Sequence, residues 1–357
     1  MQLPSALSWL IDAGSTVSGA DELLAALGSR LIADGVALSG GALSLAVPDL
    51  IIARRTFLWR AETGAVMEAL GFAGPMVPSG DAGRRWLAGL APGPAQEDAA
   101  GTGADAPMLG WIGPRAFTDI EAEQLRQAAR FATAPLAALA ARATLTAALE
   151  AYLGRRSAAR VMGAPLRRDV GETIRAALLY ADLRGFTALS EAAAPAEVIA
   201  ALDAWFDRIA GAVHAFGGEV LKFIGDGVLA IFPVSGYSPR PACDAALRAV
   251  TAARAGMAHL DAARRDQGLP TLPFGVAVHL GEIYWGNIGA ADRLDFTAIG
   301  PAVNLVSRLE GLCRPLERAV LISGALAAET DQSLAALGEH ALRGIAAPCA
   351  VFTLPDA

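Results

Sequence analysis

Residues 178–187 read LLYADLRGFT, an apolar run that ends abruptly at a carboxylate. The run predicts a buried β-strand with Asp182 at its tip. A carboxylate left unpaired there costs several kcal/mol, so Asp182 is expected to meet a partner. Gly185 permits a tight turn, and the backbone N–H groups near Phe186 and Thr187 would open the next helical segment and attract phosphate.

A second acidic residue is predicted at the same edge of the sheet. Residues 217–232 read GGEVLKFIGDGVLAIF, which predicts a hairpin with Asp226 at its turn. A helix from Pro195 to about Phe216 precedes it. Two converging carboxylates repel each other unless a cation lies between them, and oxygen ligands suit Mg²⁺ or Mn²⁺. The alternative is that each aspartate caps its own turn.

The segment VAVHLGEIYWGNIG predicts a strand from Phe274 to Val278, followed after Gly281 by a hairpin or meander. LDFTAIG predicts another short strand. A helix is expected to start at Pro301, and it places Asn304 and Arg308 on one face. These two side chains could bracket a ribose and a phosphate, or they could belong to an ordinary helix surface.

Together, YADLRGFTALSE, GGEVLKFIGDGVLAIF and RLDFTAIGPAVNLVSRLEGL resemble the class III nucleotidyl cyclase catalytic domain. The resemblance covers residues 172–357 and implies a ferredoxin-like α/β (α+β) domain. It also implies a homodimer whose active sites are shared between subunits, with two Mg²⁺ or Mn²⁺ ions in each site. The residues that it assigns are the metal ligands Asp182 and Asp226, the adenine-binding Lys222 and Thr297, the ribose-orienting Asn304, the phosphate-stabilising Arg308, and, more loosely, Arg343 as a contact to the terminal phosphates.

The pairing of Lys222 with Thr297 resembles a bacterial subgroup of adenylate cyclases that includes bicarbonate-responsive members. A lysine donor suits adenine N1, and a threonine hydroxyl can accept from the exocyclic amine. Guanine would leave the lysine facing a donor, at a cost of about 1–3 kcal/mol. One departure is that Phe274 and Gly275 stand where the family often carries a basic residue.

The resemblance therefore implies an adenylate cyclase that converts ATP to cyclic AMP and pyrophosphate. The alternatives are a catalytically idle nucleotide-binding signalling module and a guanylate cyclase. His279 and His214 are expected to be structural, because the mechanism requires no histidine base.

The N-terminal part, residues 1–117, resembles a GAF-like sensor domain in the order of its elements. Two helices within residues 3–34 precede strands at VALSGGALSLAV, FLWRAE and PMLGWIG. Residues 73–106 are rich in Gly, Pro and Ala, and their last part, from Ala91, is expected to form a mobile loop.

Residues 118–171 are predicted to join the two domains. Thr118 and Glu121 predict a capping box that opens a helix reaching about Leu153. Such a helix could pair with its twin in a dimer or pack on its own sheet. Its apolar positions, which follow a period near 3.6, are Ile120, Leu125, Ala128, Phe131 and Ala132. The five arginines that follow, between residues 155 and 168, predict a solvated basic connector rather than a phosphate site.

The amino-acid composition indicates which classes of partner and which compartment to expect. The net charge of −7 argues against general nucleic-acid binding, which needs a basic surface. Three scattered cysteines without CxxC spacing favour a reducing compartment. Residues 131–145, FATAPLAALAARATL, are interrupted by Pro135 and Arg142, so no membrane span is expected. These features predict a cytoplasmic protein, and the N-terminal domain predicts a small-molecule or bicarbonate regulator.

Overall fold

The computed structural model describes residues 3–47, 52–72 and 81–355. Contacts divide the chain into two units, Met1–Ala148 and Leu149–Ala357. The division falls inside one long helix. The predicted domain boundaries at residues 117 and 171 stay predictions.

The first unit is a five-stranded antiparallel sheet with helices, in the strand order β3-β2-β1-β5-β4. Its elements are α1 Ser5–Asp12, α2 Ala20–Ala33, β1 Gly40–Ala46, β2 Ile52–Arg60, β3 Val66–Phe72, α3 Asp81–Leu90, β4 Gln96–Ala99, β5 Met108–Ile112 and α4 Asp119–Leu153. Leucines of α1 and α2 pack on the sheet around Trp59 and Trp111, whose rings meet edge to face at 6.3 Å. The two predicted helices and the three predicted strands are confirmed.

The predicted loop from Ala91 is wrong at residues 96–99, and the helix before it was not predicted. Residues 81–90 form α3, and residues 96–99 pair with β5 as an edge strand. The reason is tertiary packing, because Leu87 of α3 is fully buried against the sheet. Arg84 of α3 also makes a two-pronged ion pair with Glu97 of β4. Residues 73–80 lie outside the described residues.

The predicted capping box and the extent of α4 are confirmed. The Thr118 N–H donates to the Glu121 carboxylate at 2.8 Å, and the Glu121 N–H donates to the Thr118 hydroxyl at 3.3 Å. Leu125, Ala128 and Ala132 are buried in the core of the first unit. Ile120 and Phe131 are 75% and 40% exposed, so their place in the apolar stripe was predicted wrongly.

The first half of α4 therefore packs on its own unit, whereas residues 140–150 are mostly exposed. Pairing of that second half with a twin stays a prediction. By length and composition alone, α4 could also cross a membrane, which is weak evidence for a span because core helices of soluble proteins pass the same test.

The second unit is a mixed α/β domain, as predicted. Its sheet runs β12-β13-β11-β9-β6-β8-β7, with β10 added on β9. Its elements are α5 Arg155–Gly163, β6 Gly171–Leu183, α6 Phe186–Ala192, α7 Pro195–Ala215, β7 Glu219–Ile224, β8 Gly227–Pro233, α8 Arg240–Asp266, β9 Phe274–Gly289, β10 Leu294–Ile299, α9 Pro301–Glu310, β11 Val320–Ser323, α10 Gly324–Ala327, β12 Ala335–His340 and β13 Cys349–Thr353.

Helices cover both faces of this sheet. Trp205 of α7 and Leu247 of α8 are buried in a core on one face, and Val306 and Leu309 of α9 are buried in a core on the other. The predicted hairpin at β7 and β8, the helix α7 and the start of α9 at Pro301 are confirmed.

The predicted hairpin or meander after Gly281 is wrong. β9 is one continuous strand, which pairs with β6 from Leu183 opposite Phe274 to Gly171 opposite Gly286. Gly281 does not turn the chain. A Cβ there would lie 2.5 Å from the Ala302 Cβ, so the glycine lets α9 approach the sheet closely.

Candidate active site

Asp182 and Asp226 lie side by side at one edge of the second sheet. Asp182 ends β6, which is hydrogen-bonded to β8 on one side and to β9 on the other. Its carboxyl group lies close enough to that of Asp226 for the two to interact. Burial first, and then the negative charge of Asp226, raises the pKa of Asp182 to about 7. The fold thus brings together the two carboxylates that the sequence predicted to converge.

The backbone of Asp226 is held by α7. The turn between β7 and β8 uses Gly225 at φ 64°, a left-handed conformation that glycine adopts readily. The indole N–H of Trp205 donates to the Asp226 carbonyl at 2.9 Å. Asp226 therefore lies in the turn between β7 and β8, as the sequence predicted.

The donor chemistry at this edge suits a hard divalent cation. The protein ligands would be two carboxylates alone. Within residues 3–47, 52–72 and 81–355, no group of three or more His, Cys, Asp or Glu side chains could hold a metal ion by itself. A two-carboxylate site leaves coordination positions for water and substrate phosphate, as is usual for Mg²⁺. The residues present therefore fit such a cation when it arrives with a phosphate.

A second polar group lies at β7 and β10. Lys222 makes an ion pair with the carboxylate of Asp295. Thr297, two residues further along β10, is buried with 8% of its surface exposed. The two predicted base-reading residues therefore flank one acidic residue that the sequence analysis had not singled out.

Asn304 and Arg308 lie on the exposed face of α9. Within the part of the chain that the structure describes, neither side chain makes a hydrogen bond or an ion pair, so both are available to a ligand. No such contact joins them to the aspartate pair or to Lys222. Glu310, two residues after Arg308, points instead toward the protomer's own interior, where burial and the charge of Asp226 raise its pKa.

This arrangement can be compared with known proteins. The model of the family described as "Adenylate and Guanylate cyclase catalytic domain" matches residues 170–348. This chain belongs to that family.

Two curated relatives of this cyclase family are adenylate cyclases. Adenylate cyclase 1 of Rhizobium meliloti is 35% identical over 151 residues, which are 42% of this chain and 23% of that protein. The adenylate cyclase of Anabaena cylindrica is 33% identical over 155 residues, or 42% of this chain and 30% of that protein. The match thus spans a third or less of each relative.

A solved structure shares the fold. The structure of a bacterial light-regulated adenylyl cyclase has a TM-score of 0.53 and 19% sequence identity, and it covers 73% of this chain and 86% of that chain. At this identity the likeness concerns the fold alone.

Three further residues of the cyclase domain were predicted as phosphate contacts, namely Phe186, Thr187 and Arg343. Gly185 is left-handed at φ 76°, and α6 begins at Phe186 as predicted. Phe186 packs against the core, whereas Thr187 is exposed. Arg343 lies in an exposed turn. Their roles as phosphate contacts stay predictions.

Sequence reasoning missed Tyr180 and Glu310 beside the aspartates of the cyclase domain. Burial, and then the charges of Asp182, Glu310 and Asp226, raise the pKa of Tyr180 to about 12. The carboxylate of Glu310 lies against Gly275, the residue opposite Asp182 on β9. Tyr180 lies two residues before Asp182 on the same strand, so the alternation of side chains places both on one face, and the sequence could have identified it. Glu310 is brought there only by the packing of α9.

Proposed function

We propose that the second unit is an adenylate cyclase that converts ATP to 3′,5′-cyclic AMP and pyrophosphate. The observation that carries the proposal is the half-buried pair of Asp182 and Asp226, whose carboxylates are held in contact at the end of a central strand. Such a pair is unfavourable without a cation, and a triphosphate brings one. The family match and the two curated adenylate cyclases support this substrate class.

Asp182 and Asp226 would hold two Mg²⁺ or Mn²⁺ ions, which when bound acidify the ribose 3′-hydroxyl and neutralise charge on the pyrophosphate. The 3′-oxygen then forms a bond to the α-phosphorus, the bond to the pyrophosphate oxygen breaks, and the hydroxyl proton leaves to solvent. Asn304 orients the ribose, and Arg308 stabilises the charge that builds up on the α-phosphate.

Lys222 and Thr297 favour ATP over GTP. The ammonium group of Lys222 donates to adenine N1, and the Thr297 hydroxyl accepts from the exocyclic amine. Guanine presents an N–H to the lysine, and the mispaired donor costs about 1–3 kcal/mol.

We further propose a homodimer with shared active sites. Glu310 faces its own protomer's aspartates, whereas Arg308 lies two residues earlier, about 200° around the helix. Arg308 and Asn304 are exposed and unpaired within the described residues, as groups that complete a partner's site would be.

We also propose that the first unit is a GAF-like sensor that regulates the cyclase. One structural feature supports this proposal. Strands β1, β2, β4 and β5 and helix α3 line an open pocket of about 300 Å³, whose lining includes Ser44, Arg54, Arg84 and Glu97. This volume is at the lower end of the range for small-molecule sites. A small regulator of the cytoplasmic enzyme would fit there, and nothing in the lining favours bicarbonate over another small molecule.

The test is a cyclase assay of the purified full chain with Mn²⁺ and either ATP or GTP. Cyclic AMP from ATP, with a lower rate from GTP, is the expected result, and Asp182→Asn should reduce it at least 100-fold. No cyclic product from either nucleotide would favour the idle binding module. A preference for GTP would identify a guanylate cyclase.

A further inference from the structure

A buried carboxylate on β7 caps the N-terminus of helix α5. Glu219 is only 4% exposed. Its carboxylate accepts from the Arg156 N–H at 3.2 Å, from the Ser157 N–H at 2.9 Å and from the Ser157 hydroxyl at 2.7 Å. The cap comes from a strand 62 residues away from Ser157, because Gly154, which precedes α5, has no side chain that could supply one. These donors and the positive end of the helix dipole compensate the buried charge.

Helix α5 is joined directly to the end of α4. The first helix ends at Leu153 and the second begins at Arg155, so only Gly154 separates them. The Gly154 N–H donates to the Glu150 carbonyl at 3.0 Å, and the Ala158 N–H donates to the Gly154 carbonyl at 2.9 Å. The hydrogen bonds of both helices therefore meet at this residue. A movement of the last turn of α4 is carried to the N-terminus of α5 without an intervening loop.

Glu219 also lies at the start of the strand that leads to the aspartate pair. β7 runs from Glu219 to Ile224 and continues into the turn that carries Asp226. Its register with β8 shifts between Val220 and Lys222, and such a bulge lets a strand bend. The hairpin is thus tied to α5 at one end, and its turn is tied to α7 at the other through Trp205.

The connector and Glu219 are packed closely against each other. Gly154 has a φ of 82°, and a Cβ added to it would lie 3.0 Å from the Glu219 Oε1 and 3.2 Å from its Cγ. Any shift of the backbone at Gly154 toward the strand therefore has to displace the carboxylate.

We infer that Glu219 is a positioning residue, which ties the β7–β8 hairpin to α5 and so makes the position of Asp226 depend on the end of α4. The inference rests on the proposed function and names the route by which the connector regulates that site. Burying a carboxylate is costly even when it is fully hydrogen-bonded, and an apolar side chain would fill the same space at a lower cost. A charged cap here fixes how two elements are arranged, since it requires the helix N-terminus to lie at one place on the strand.

The experiment measures cyclase kinetics with ATP and Mn²⁺ and backbone hydrogen exchange on variants of the full chain. Glu219→Ala should lower kcat/KM about tenfold, whereas Glu219→Gln, whose amide oxygen still accepts from Ser157, should stay within about threefold of wild type. In Glu219→Ala, exchange should accelerate at the N-terminus of α5 and also at residues 225–227, while β11 and β13 keep their protection. A cap with a merely structural role would leave the exchange of the turn unchanged.

Gly154→Ala displaces the same contact from the other side. It should also lower kcat/KM about tenfold, and the double variant with Glu219→Ala should be no worse than either single variant, because both act through one contact. Gly236→Ala is the matched control. Its φ of 81° means that alanine strains both backbones alike, but nothing lies within 4 Å of the added Cβ. Gly236→Ala should keep the wild-type kcat/KM.

Two results would overturn the inference. One is a folded Glu219→Ala protein whose α5 amides exchange faster while kcat/KM and the exchange of the turn stay at wild-type values. The other is full additivity of Gly154→Ala and Glu219→Ala. If circular dichroism shows that Glu219→Ala does not fold, Ser157→Ala replaces it, because it removes one donor and leaves no buried donor unpaired. Its expected loss of kcat/KM is about threefold.

Failure of the proposed function remains distinguishable. A wild-type chain that makes no cyclic AMP would contradict the cyclase activity, and the exchange of residues 225–227 in Glu219→Ala would still decide the role of Glu219. A wild-type enzyme that makes cyclic AMP, with a Glu219→Ala variant of unchanged kcat/KM and unchanged exchange at the turn, would contradict only the role of Glu219.

Discussion

At the scale of single residues, the backbone holds Asp182 and Asp226 together against their own repulsion. The strand β6 and the turn after β7 fix the two backbones, and Trp205 anchors the second through a 2.9 Å hydrogen bond. Their positions are therefore set before any ligand arrives. Preorganisation of this kind is what allows charged groups to bind or stabilise a reacting phosphate without a reorganisation cost.

His279 gives a pH-dependent prediction that is independent of the active site. Its Nδ1 lies 2.8 Å from the Ser323 hydroxyl in the core, and burial lowers its pKa from the usual 6.5 to about 4. The unfolded chain therefore binds a proton between pH 6.5 and pH 4 that the folded chain does not bind. Stability is lost as the pH falls through this window, and about 2 kcal/mol of it is lost by pH 4.5.

The measurement is urea unfolding of wild type and His279→Asn at pH 7 and pH 4.5. Wild type should lose about 2 kcal/mol more than the variant over this change. His259→Asn, on an exposed part of α8, serves as the control. Equal losses in wild type and His279→Asn would show that His279 is not held neutral.

The sequence located residues that end strands or follow glycine turns, because these positions have local signals. Asp182 follows an apolar run and Asp226 sits between two glycines, so both were predictable. Asp295 was not, because only the pairing of β9 with β10 and the nearness of β7 bring it to Lys222. Glu310 was missed for the same reason, since its neighbours come from distant parts of the chain.

At the scale of elements, the long antiparallel pair β6 and β9 organises the second unit. Thirteen cross-strand pairs join them, from Gly171 opposite Gly286 to Leu183 opposite Phe274. The glycines within β9 suggested turns. The sequence could not show that they instead let α9 and the β6 backbone pack closely against the strand. The helices α7 and α9 had no such ambiguity, because a proline opens each of them, and both were predicted correctly.

Gly286 lies opposite Gly171 at the end of the β6–β9 ladder, and the close approach of the two backbones gives a prediction about stability. A Cβ on Gly286 would lie 2.6 Å from the Val170 carbonyl oxygen and closer still to the Gly171 Cα, and backbone cannot move aside as a side chain can. Gly286→Ala should therefore destabilise the unit by about 1–3 kcal/mol. Gly211, exposed on α7 with nothing within 4 Å of its added Cβ, is the matched control, and Gly211→Ala should stabilise by about 0.5–1 kcal/mol.

Chemical unfolding of the two variants measures these changes against wild type. A Gly286→Ala protein as stable as wild type would mean that the register of β6 and β9 can shift at this end. A Gly211→Ala protein that is destabilised would contradict the assignment of an open helical position.

At the scale of the whole molecule, chain length and the change of pattern from Ala177 predicted more than one domain, and the predicted boundaries stay predictions. The mixed α/β class of the second unit was predicted correctly because its strands and helices alternate. What one chain does not reveal is assembly, since the residues of a shared site have no partner within a single protomer. The proposed shared site would use Asn304 and Arg308, which are exposed and without side-chain partners in the described part of the chain.

Mixing two inactive variants tests the shared site. Asp182→Ala removes a carboxylate from one half of each site, and Arg308→Ala removes the cation from the other half. In a mixed dimer, one of the two sites would carry both defects and the other would be intact. Random pairing makes half of the dimers mixed, so an equal mixture should recover about a quarter of the wild-type activity. If each site lay within one protomer, every site would keep one defect, and the mixture would stay inactive. Native mass spectrometry of the same sample measures whether mixed dimers have formed. An inactive mixture that contains mixed dimers contradicts the shared site.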